Sequence, residues 1–350
     1  MRVPQSYNPQ LQALRAVAAI GIVFTHAAFQ TAAPARILER FDFFVPVFFA
    51  LSAFLLWRPP SPGYYRRRAL RILPAYLALV FLVFLVIPEA YGASMVTIVA
   101  NFTFTQIYVP HALHPGLTHL WSLCVEVAFY LALPLLYRLG WQKVLALSLL
   151  SFGWAWLPFV QAVEVVNLQI WPPAFLPWFC VGILAAEYHQ RRQLPARVKR
   201  IFHIRSLWWA VAALAMWVAA QPWYGPPGLI HPTPTQFALR VLAGTVFAAS
   251  VVVPYALAPG WWVPKALERL GLWSYSFFLW HLAVLSVSFP ILGIRHFDGN
   301  FWPVVLLTIA LTIPVSAASY LLIEQPGSKL RLPTTLWARL RPEPVTSGTT

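Results

Sequence analysis

The sequence is poor in charge. Only 10% of its 350 residues are Asp, Glu, Lys or Arg, whereas about a quarter of the residues are charged in a typical soluble domain. Hydrophobic residues make up 59% of the chain, and its mean hydropathy is +0.66. Because so little charge cannot cover a water-facing surface, the composition excludes an ordinary soluble protein and predicts an integral membrane protein.

Acidic residues and cysteines are also scarce. The chain has 10 acidic residues against 25 Lys and Arg, which gives a net charge of +15. In a membrane protein such an excess is expected in cytoplasmic loops, so we predict no nucleic-acid partner. Cys124 and Cys180 lie in apolar runs and offer neither a disulfide framework nor a metal-ligand spacing. No small-residue cleavage site follows the first apolar run, which predicts a retained span and not a signal peptide.

Long apolar runs, by contrast, are frequent, and a helix needs about 20 residues to cross a bilayer. The run at 95–108 is too short to cross as a helix, and it contains Asn101 and Gln106. If this run does not cross, the basic segments 58–71 and 189–205 both face the cytoplasm, as positively charged loops usually do. The candidate runs are 12–30, 41–57, 72–88, 95–108, 119–137, 144–160, 172–188, 207–221, 237–257, 271–290 and 301–323.

We therefore predict an all-α, polytopic fold of about ten transmembrane helices with both termini in the cytoplasm. The whole chain, residues 1–350, is expected to form a single domain whose spans lie within about 12–323. Residues 324–350 are expected to form a cytoplasmic tail, and no further catalytic module is expected after them.

Ionisable side chains inside membrane spans are costly and mark functional sites by default. Arg15 and His26 are eleven residues apart in the first run, which is about three helical turns or 16 Å, so both lie on one face. Glu126 is the only acid well inside a run, and His119 lies about two turns before it on the same face. His281 lies in a late run. The plainer interpretations are a snorkelling arginine, hydrogen-bonded core histidines and an ion pair that serves only packing.

The densest positive cluster is the segment YYRRRALRILPAY, residues 64–76, with Arg66, Arg67, Arg68 and Arg71. Such a cluster either fixes the topology and binds anionic lipid headgroups or holds a phosphate group, which guanidinium matches bidentately. Charge alone favours the lipid interpretation and leaves the phosphate interpretation open.

Six blocks of the sequence resemble, in order, the acyltransferase-3 family of membrane O-acyltransferases. The first, LRAVAAIGIVFTH, resembles the family's Arg-x10-His signature. The others are FFVPVFFALSAFLLWRP, YYRRRALRILPAY, THLWSLCVEVAFYLALPLL, YSFFLWHL and IEQP, and the six blocks extend over residues 11–326. Two departures stand out: Gln12-Ala13 replaces the usual Asp-Gly, and Ala53 replaces the usual glycine after Ser52.

The resemblance implies an enzyme that takes an acyl group from cytoplasmic acyl-CoA, acetyl-CoA first among the donors, with succinyl next. The implied acceptor is a hydroxyl of a cell-envelope carbohydrate, a glycolipid or a small molecule. The implied location is the bacterial cytoplasmic membrane, where a multi-pass protein has membrane lipid as its other partner. His26 matches the family's essential histidine and Arg15 its essential arginine. Arg68 and Arg71 match its cytoplasmic arginines, and Glu126 matches its fourth-block acid.

Acyl transfer to an alcohol needs a base for the hydroxyl proton and a site for the CoA phosphates. We expect His26 to be the general base, with Glu126 or another acceptor orienting its imidazole. Direct transfer is preferred, and an acyl-enzyme on Ser52, Thr25 or Cys124 stays open. The expected cofactor-binding residues are Arg15, Arg66, Arg67, Arg68 and Arg71; the expected substrate-binding residues are His119, Trp121, Ser122 and His281; no metal is expected.

A different class of function also fits buried ionisable groups. A proton-coupled carrier or flippase for a glycolipid or small solute would use them as a relay. Carriers often consist of two related halves with broken helices, and the sequence has no such repeat. Consumption of acyl-CoA separates the two functions, since a carrier would ignore it.

Overall fold

The structure is a computed structural model that describes residues 8–329 except 34, 163–164, 192–193, 227, 229 and 261. Among these residues all regular secondary structure is helical and no strand occurs. The helices are α1 (Pro9–Gln30), α2 (Arg36–Glu39), α3 (Phe44–Leu56), α4 (Tyr64–Val86), α5 (Met95–Phe102), α6 (Trp121–Leu139), α7 (Trp141–Ser151), α8 (Pro158–Gln161), α9 (Leu176–Arg191), α10 (Ala196–His203), α11 (Arg205–Ala219), α12 (Pro234–Leu257), α13 (Lys265–Leu272), α14 (Ser274–Leu292), α15 (Phe301–Ser319) and α16 (Gln325–Ser328).

Six segments of the described chain are long and apolar enough to cross a membrane. They are Pro9–Gln30, Tyr64–Val86, Thr118–Leu139, Pro234–Leu257, Ser274–Leu292 and Phe301–Ser328. Helices α10 and α11 meet at a bend of 64° and add a seventh if they form one span. These findings confirm an all-helical protein with several membrane-spanning helices.

The predicted count of ten is not reached by full-length helices. The runs at 41–57, 144–160 and 172–188 overlap with α3, α7 and α9, which have 13, 11 and 16 residues. Each is shorter than the roughly 20 residues that a bilayer crossing needs. Ten spans and cytoplasmic termini therefore stay a prediction, and residues 1–7 and 330–350, which hold the two ends, lie outside the described residues.

The run at 95–108 forms only the eight-residue helix α5, followed by turns. Its polar groups are bonded within the protein: the Asn101 amide donates to the carbonyl oxygens of Thr97 at 2.9 Å and Ala112 at 2.8 Å. The Tyr76 hydroxyl donates to the carbonyl oxygen of Asn101 at 2.5 Å. Irregular backbone is tolerated at membrane depth only where protein covers it. The segment folds back against α4, as expected of a run that does not cross as a helix.

Helix α1 lies inside the bundle and packs against α3, α12, α13, α14 and α15. Asn8 caps its first turn by accepting a hydrogen bond from the Gln10 backbone at 2.9 Å, and Pro9 occupies the first helical position, where a proline ring is already shaped for the helix. Ala16, Ala19 and other small residues face its neighbours, and small residues allow membrane helices to approach closely. The predicted Arg15–His26 stripe therefore lies in the interior of the bundle.

Helices α3 and α9 approach each other closely at Gly182. A Cβ atom added to Gly182 would overlap the carbonyl oxygen of Ala50, which is backbone and cannot rotate away. We expect Gly182→Ala to lower the free energy of unfolding by about 1–3 kcal/mol, the usual cost of overpacking, measured by thermal unfolding in detergent. Gly153→Ala is the matched control, because its Cβ would meet only the Leu150 carbonyl oxygen at 3.2 Å. Equal stability of the two variants would contradict the packing.

Candidate active site

Two cavities lie one beyond the other between α1, α3, α6 and α14. The arginine cavity is lined by Arg15, Arg68 and Arg71, and the histidine cavity is lined by His26. Their empty volumes, including space open to the outside, are about 810 Å³ and about 1420 Å³ respectively. Val45 of α3 lines both. The bundle thus places a cationic chamber next to a larger chamber that carries an imidazole.

Only part of the predicted arginine cluster reaches the arginine cavity. Arg68 and Arg71 are three residues apart on α4 and therefore share a face, and both line the cavity with Arg15. Arg66 and Arg67 do not line it. The Arg67 side chain is exposed and donates to the Pro62 carbonyl oxygen at 2.6 Å. Of the five arginines predicted to bind the cofactor, three, Arg15, Arg68 and Arg71, line one cavity.

A buried carboxylate that the sequence argument did not assign holds Arg71 in place. Glu324, 1% exposed, lies 3.3 Å from the Arg71 guanidinium and accepts a hydrogen bond from the Ser276 hydroxyl at 2.8 Å. It ends a π-helical turn at Tyr320–Glu324, a helix irregularity that is frequent at functional sites. The signal in the sequence was the acid of IEQP at the end of the last apolar run.

Glu126 lies on the wall of the arginine cavity together with Ser122 and Tyr130, each one turn apart on α6. Its carboxylate accepts hydrogen bonds from the Tyr130 hydroxyl at 2.5 Å and from the Ser52 hydroxyl. The predicted contact between Glu126 and His26 is absent, because the carboxylate faces the neighbouring cavity. Ser122 and Trp121, both expected to bind substrate, line different cavities: Ser122 lines the arginine cavity and Trp121 the histidine cavity.

Three predicted histidines meet beside the histidine cavity. The His26 ring centroid lies 5.2 Å from that of His281 and 6.2 Å from that of His119, and the latter two are 4.7 Å apart. His119 and His281 are buried, at 2% and 0% exposure. Of the three, only His26 lines the cavity.

Backbone carbonyl groups orient the two buried rings. His281 Nδ1 lies 2.6 Å from the Phe278 carbonyl oxygen, and His119 Nε2 lies 3.1 Å from that of Leu279. Because a carbonyl oxygen only accepts, these ring nitrogens are the donors. The opposite nitrogens, His281 Nε2 and His119 Nδ1, have no hydrogen-bond partner. Across the described ranges, no group of three or more His, Cys, Asp or Glu side chains is placed to hold a metal ion.

An aromatic partition separates the two cavities. Phe48 and Phe278 line the arginine cavity, and their ring centroids are 6.1 Å apart. Phe278 also lies 5.2 Å from His119 and 5.7 Å from His281, measured between ring centroids. Phe48 and Phe278 thus form an aromatic layer between the arginine cavity, which Arg15 lines, and the histidine group that includes His26.

Comparisons with known proteins identify the family of the chain. A family model described as an acyltransferase domain, that of the acyltransferase-3 family, matches residues 8–321. Nodulation protein 10 of Rhizobium leguminosarum bv. viciae is 26% identical, and the match covers 84% of each chain. The putative acetyltransferase ORF330 of Acidianus two-tailed virus is 26% identical over 83% of this chain and 88% of its own.

Peptidoglycan O-acetyltransferase OatA of Listeria monocytogenes is 24% identical over 94% of this chain, but the match spans only 57% of that longer protein. No solved structure matches the chain. The chain belongs to the acyltransferase-3 family, as the six sequence blocks predicted. Together with its apolar helices, this membership makes it a multi-pass membrane acyltransferase.

Proposed function

We propose that this family member transfers an acyl group from acyl-CoA to a hydroxyl of a cell-envelope carbohydrate, glycolipid or small molecule. The expected acyl group is acetyl, with succinyl as the second choice. The observation that carries the proposal is the order of groups along α1. Arg15 lines a cavity with Arg68 and Arg71, and His26 lines the next cavity beyond one layer of side chains. Helix α1 thus carries one cation for the donor, Arg15, and a base for the acceptor, His26.

The arginine cavity suits the phosphate end of a CoA donor. Arg15 Nε has no hydrogen-bond partner, so its guanidinium retains donor capacity for a ligand. Arg71 is held by Glu324 at 3.3 Å, which fixes its fork before a ligand arrives. Arginine matches phosphate oxygens bidentately. Three guanidinium groups around one cavity therefore favour binding of an anionic ligand inside the protein over binding of lipid headgroups.

The histidine cavity suits the acceptor. His26, as a neutral imidazole, takes the proton of the attacking hydroxyl while the oxygen bonds to the thioester carbonyl carbon. When the C–S bond breaks, the same proton passes to the sulfur, so the products are an ester and free CoA thiol. The rings of His281 and His119 lie 5.2 Å and 6.2 Å from that of His26, measured between centroids, and these two residues act as positioning residues. Glu126 is proposed to act in the arginine cavity, where it orders Ser52 and Tyr130.

The acyl thioester has to cross the aromatic partition, which consists only of side chains. We expect Phe48→Trp, which thickens the partition, to slow acyl transfer by up to about 100-fold, the scale of a small misplacement of reacting groups. Phe48→Ala, which opens it, is expected to raise acceptor-independent hydrolysis of acyl-CoA, since water then reaches the thioester. Release of CoA thiol, with and without acceptor, measures both. If acceptor-independent hydrolysis rose in both variants, or fell in both, the result would contradict this role.

The membrane arrangement follows from the same proposal. Residues 1–350 form one domain in the bacterial cytoplasmic membrane, with about ten spans and both termini cytoplasmic. The arginine cavity then opens towards the cytoplasm, where acyl-CoA is made, and the histidine cavity towards the outer side. One relative is named for peptidoglycan O-acetylation, which supports a cell-envelope glycan as acceptor here.

The test uses the whole protein in lipid nanodiscs with acetyl-CoA. The expected result is release of CoA thiol that depends on the protein, together with loss of one acyl mass from envelope glycans or lipids when the gene is deleted, seen by mass spectrometry. A protein that neither binds nor consumes acetyl-CoA or succinyl-CoA would refute the proposal and favour the carrier.

A further inference from the structure

Three side-chain oxygens around the histidine cavity lack a hydrogen-bond donor within the described chain. They are Gln30 Oε1, Asp42 Oδ1 and Gln169 Oε1, and all three side chains line this cavity. Buried polar atoms are almost always paired in folded proteins. Three unpaired acceptors on one cavity therefore point to donors that arrive from outside the chain, and a hydroxyl group is such a donor.

For two of these residues, Gln169 and Asp42, the other polar atom of the side chain contacts the protein. The Gln169 side-chain amide donates to the Pro232 carbonyl oxygen at 3.2 Å, and Asp42 Oδ2 lies 3.8 Å from the Arg40 guanidinium. These contacts hold the side chains at the cavity wall. The last torsion of a carboxylate or amide side chain is soft, so a small rotation turns each unpaired oxygen towards a ligand.

The cations of the same cavity are, in contrast, largely occupied by the protein. Arg240 donates to the carbonyl oxygens of Tyr224 at 2.8 Å and Pro226 at 3.0 Å. Arg40 lies between Glu39 and Asp42, at 3.6 Å and 3.8 Å. Arg40 Nη1 makes no hydrogen bond, but carboxylates flank this guanidinium on two sides. A cavity whose cations are already neutralised by carboxylates or bonded to carbonyl oxygens, while other oxygens lack a donor, favours a neutral ligand rich in hydroxyl groups over an anion.

The position of the three oxygens relative to the base is also suitable. Gln30 follows His26 by one turn of α1, about 6 Å along the axis, so both face the same chamber. Trp121 and Phe175 add an aromatic wall, with ring centroids 5.2 Å apart. An apolar wall with a few placed polar groups is the usual make-up of a small-molecule site.

On the basis of the proposed function, we propose that Gln30, Asp42 and Gln169 determine acceptor specificity by accepting hydrogen bonds from the hydroxyl groups of a neutral polyol ring beside His26. When one hydroxyl of the ring is held by these oxygens, the adjacent hydroxyl of the same ring faces the His26 imidazole. None of these residues takes part in the chemical step, so their effect is on acceptor binding.

Binding of four neutral methyl glycosides (gluco, galacto, manno and N-acetylgluco) to the protein in nanodiscs tests the proposal, by saturation-transfer NMR without acyl-CoA. We expect wild-type protein to bind at least one of them and not to bind cyclohexanol, which has one hydroxyl on a ring of similar size. In the double variant Gln30→Leu, Gln169→Leu, the Kd for the bound glycoside is expected to rise by about 10- to 100-fold, because two neutral hydrogen bonds are lost.

Gln161→Leu is the matched control, because Gln161 bonds to the Trp156 carbonyl oxygen and lies away from both cavities. Thermal unfolding of each variant checks that it is folded, and the single variant Gln169→Leu replaces the double one if that is unstable. No binding of any glycoside to wild type, or equal binding by the variants, would overturn the inference. Thiol release from acetyl-CoA on the same preparations reports on the proposed function separately.

Discussion

Replacing His26 with alanine is expected to lower kcat for acyl transfer by about 100- to 10,000-fold, the usual contribution of a general base. His26 is the one histidine of the three-histidine group that lines the histidine cavity. Without its imidazole the attacking hydroxyl loses the base that the three-histidine group presents to this cavity. Binding of acyl-CoA is expected to persist, because the arginine cavity lies on the other side of the partition.

The measurement is acceptor-dependent release of CoA thiol by purified protein, alongside acyl-CoA binding and thermal unfolding. His114→Ala is the matched control: His114 packs on Phe84, with ring centroids 5.7 Å apart, and lines neither cavity. Activity of His26→Ala close to that of His114→Ala, in folded protein, would remove His26 from the mechanism. His281→Ala should have a smaller effect, since it acts on the orientation of His26 and not on the proton itself.

The opening helix shows how much of the site a sequence determines. Eleven residues between Arg15 and His26 fix a common helix face, and a face that carries two costly groups has to point into the protein. The structure agrees on both points, since each residue lines an interior cavity. The aromatic partition between them was not predicted, because Phe48 and Phe278 come from two other helices.

The partners of the polar residues depend on tertiary packing and were less predictable. Helical spacing relates Arg68 to Arg71 but does not say which face of α4 turns inwards. The sequence therefore could not separate these two cofactor-binding candidates from Arg66 and Arg67. Glu126 needed a partner from another helix, and Ser52 rather than His26 supplies it. Glu324 meets Arg71 because the helical segment Tyr320–Ser328 packs on α4.

The number of spans illustrates a different limit of pattern reading. Hydropathy finds apolar runs, but a run becomes a full-length helix only if nothing interrupts it. Helices α3, α7 and α9 are shorter than a full span; Gly140 stands at the start of α7, and the turn Pro172–Phe175 precedes α9. Charge placement therefore remains the basis for ten spans.

The second large effect is expected from Arg68. Arg68→Ala removes one guanidinium from the arginine cavity, and a hydrogen bond to a charged group contributes about 1.5–3 kcal/mol. That corresponds to a rise of about 10- to 100-fold in the KM for acyl-CoA. Arg67→Ala is a closely matched control, one residue away, exposed and outside the cavity.

The division between KM and kcat decides what Arg68 does. The CoA phosphates are equally charged in the bound donor and in the transition state, so a residue that holds them binds both states alike. Loss of such uniform binding raises KM and leaves kcat nearly unchanged. A fall in kcat at unchanged KM would instead place Arg68 at the reacting carbonyl. Arg71 is less suitable for this test, because its removal also leaves the buried Glu324 carboxylate without its cation, and an unpaired buried charge destabilises the fold itself.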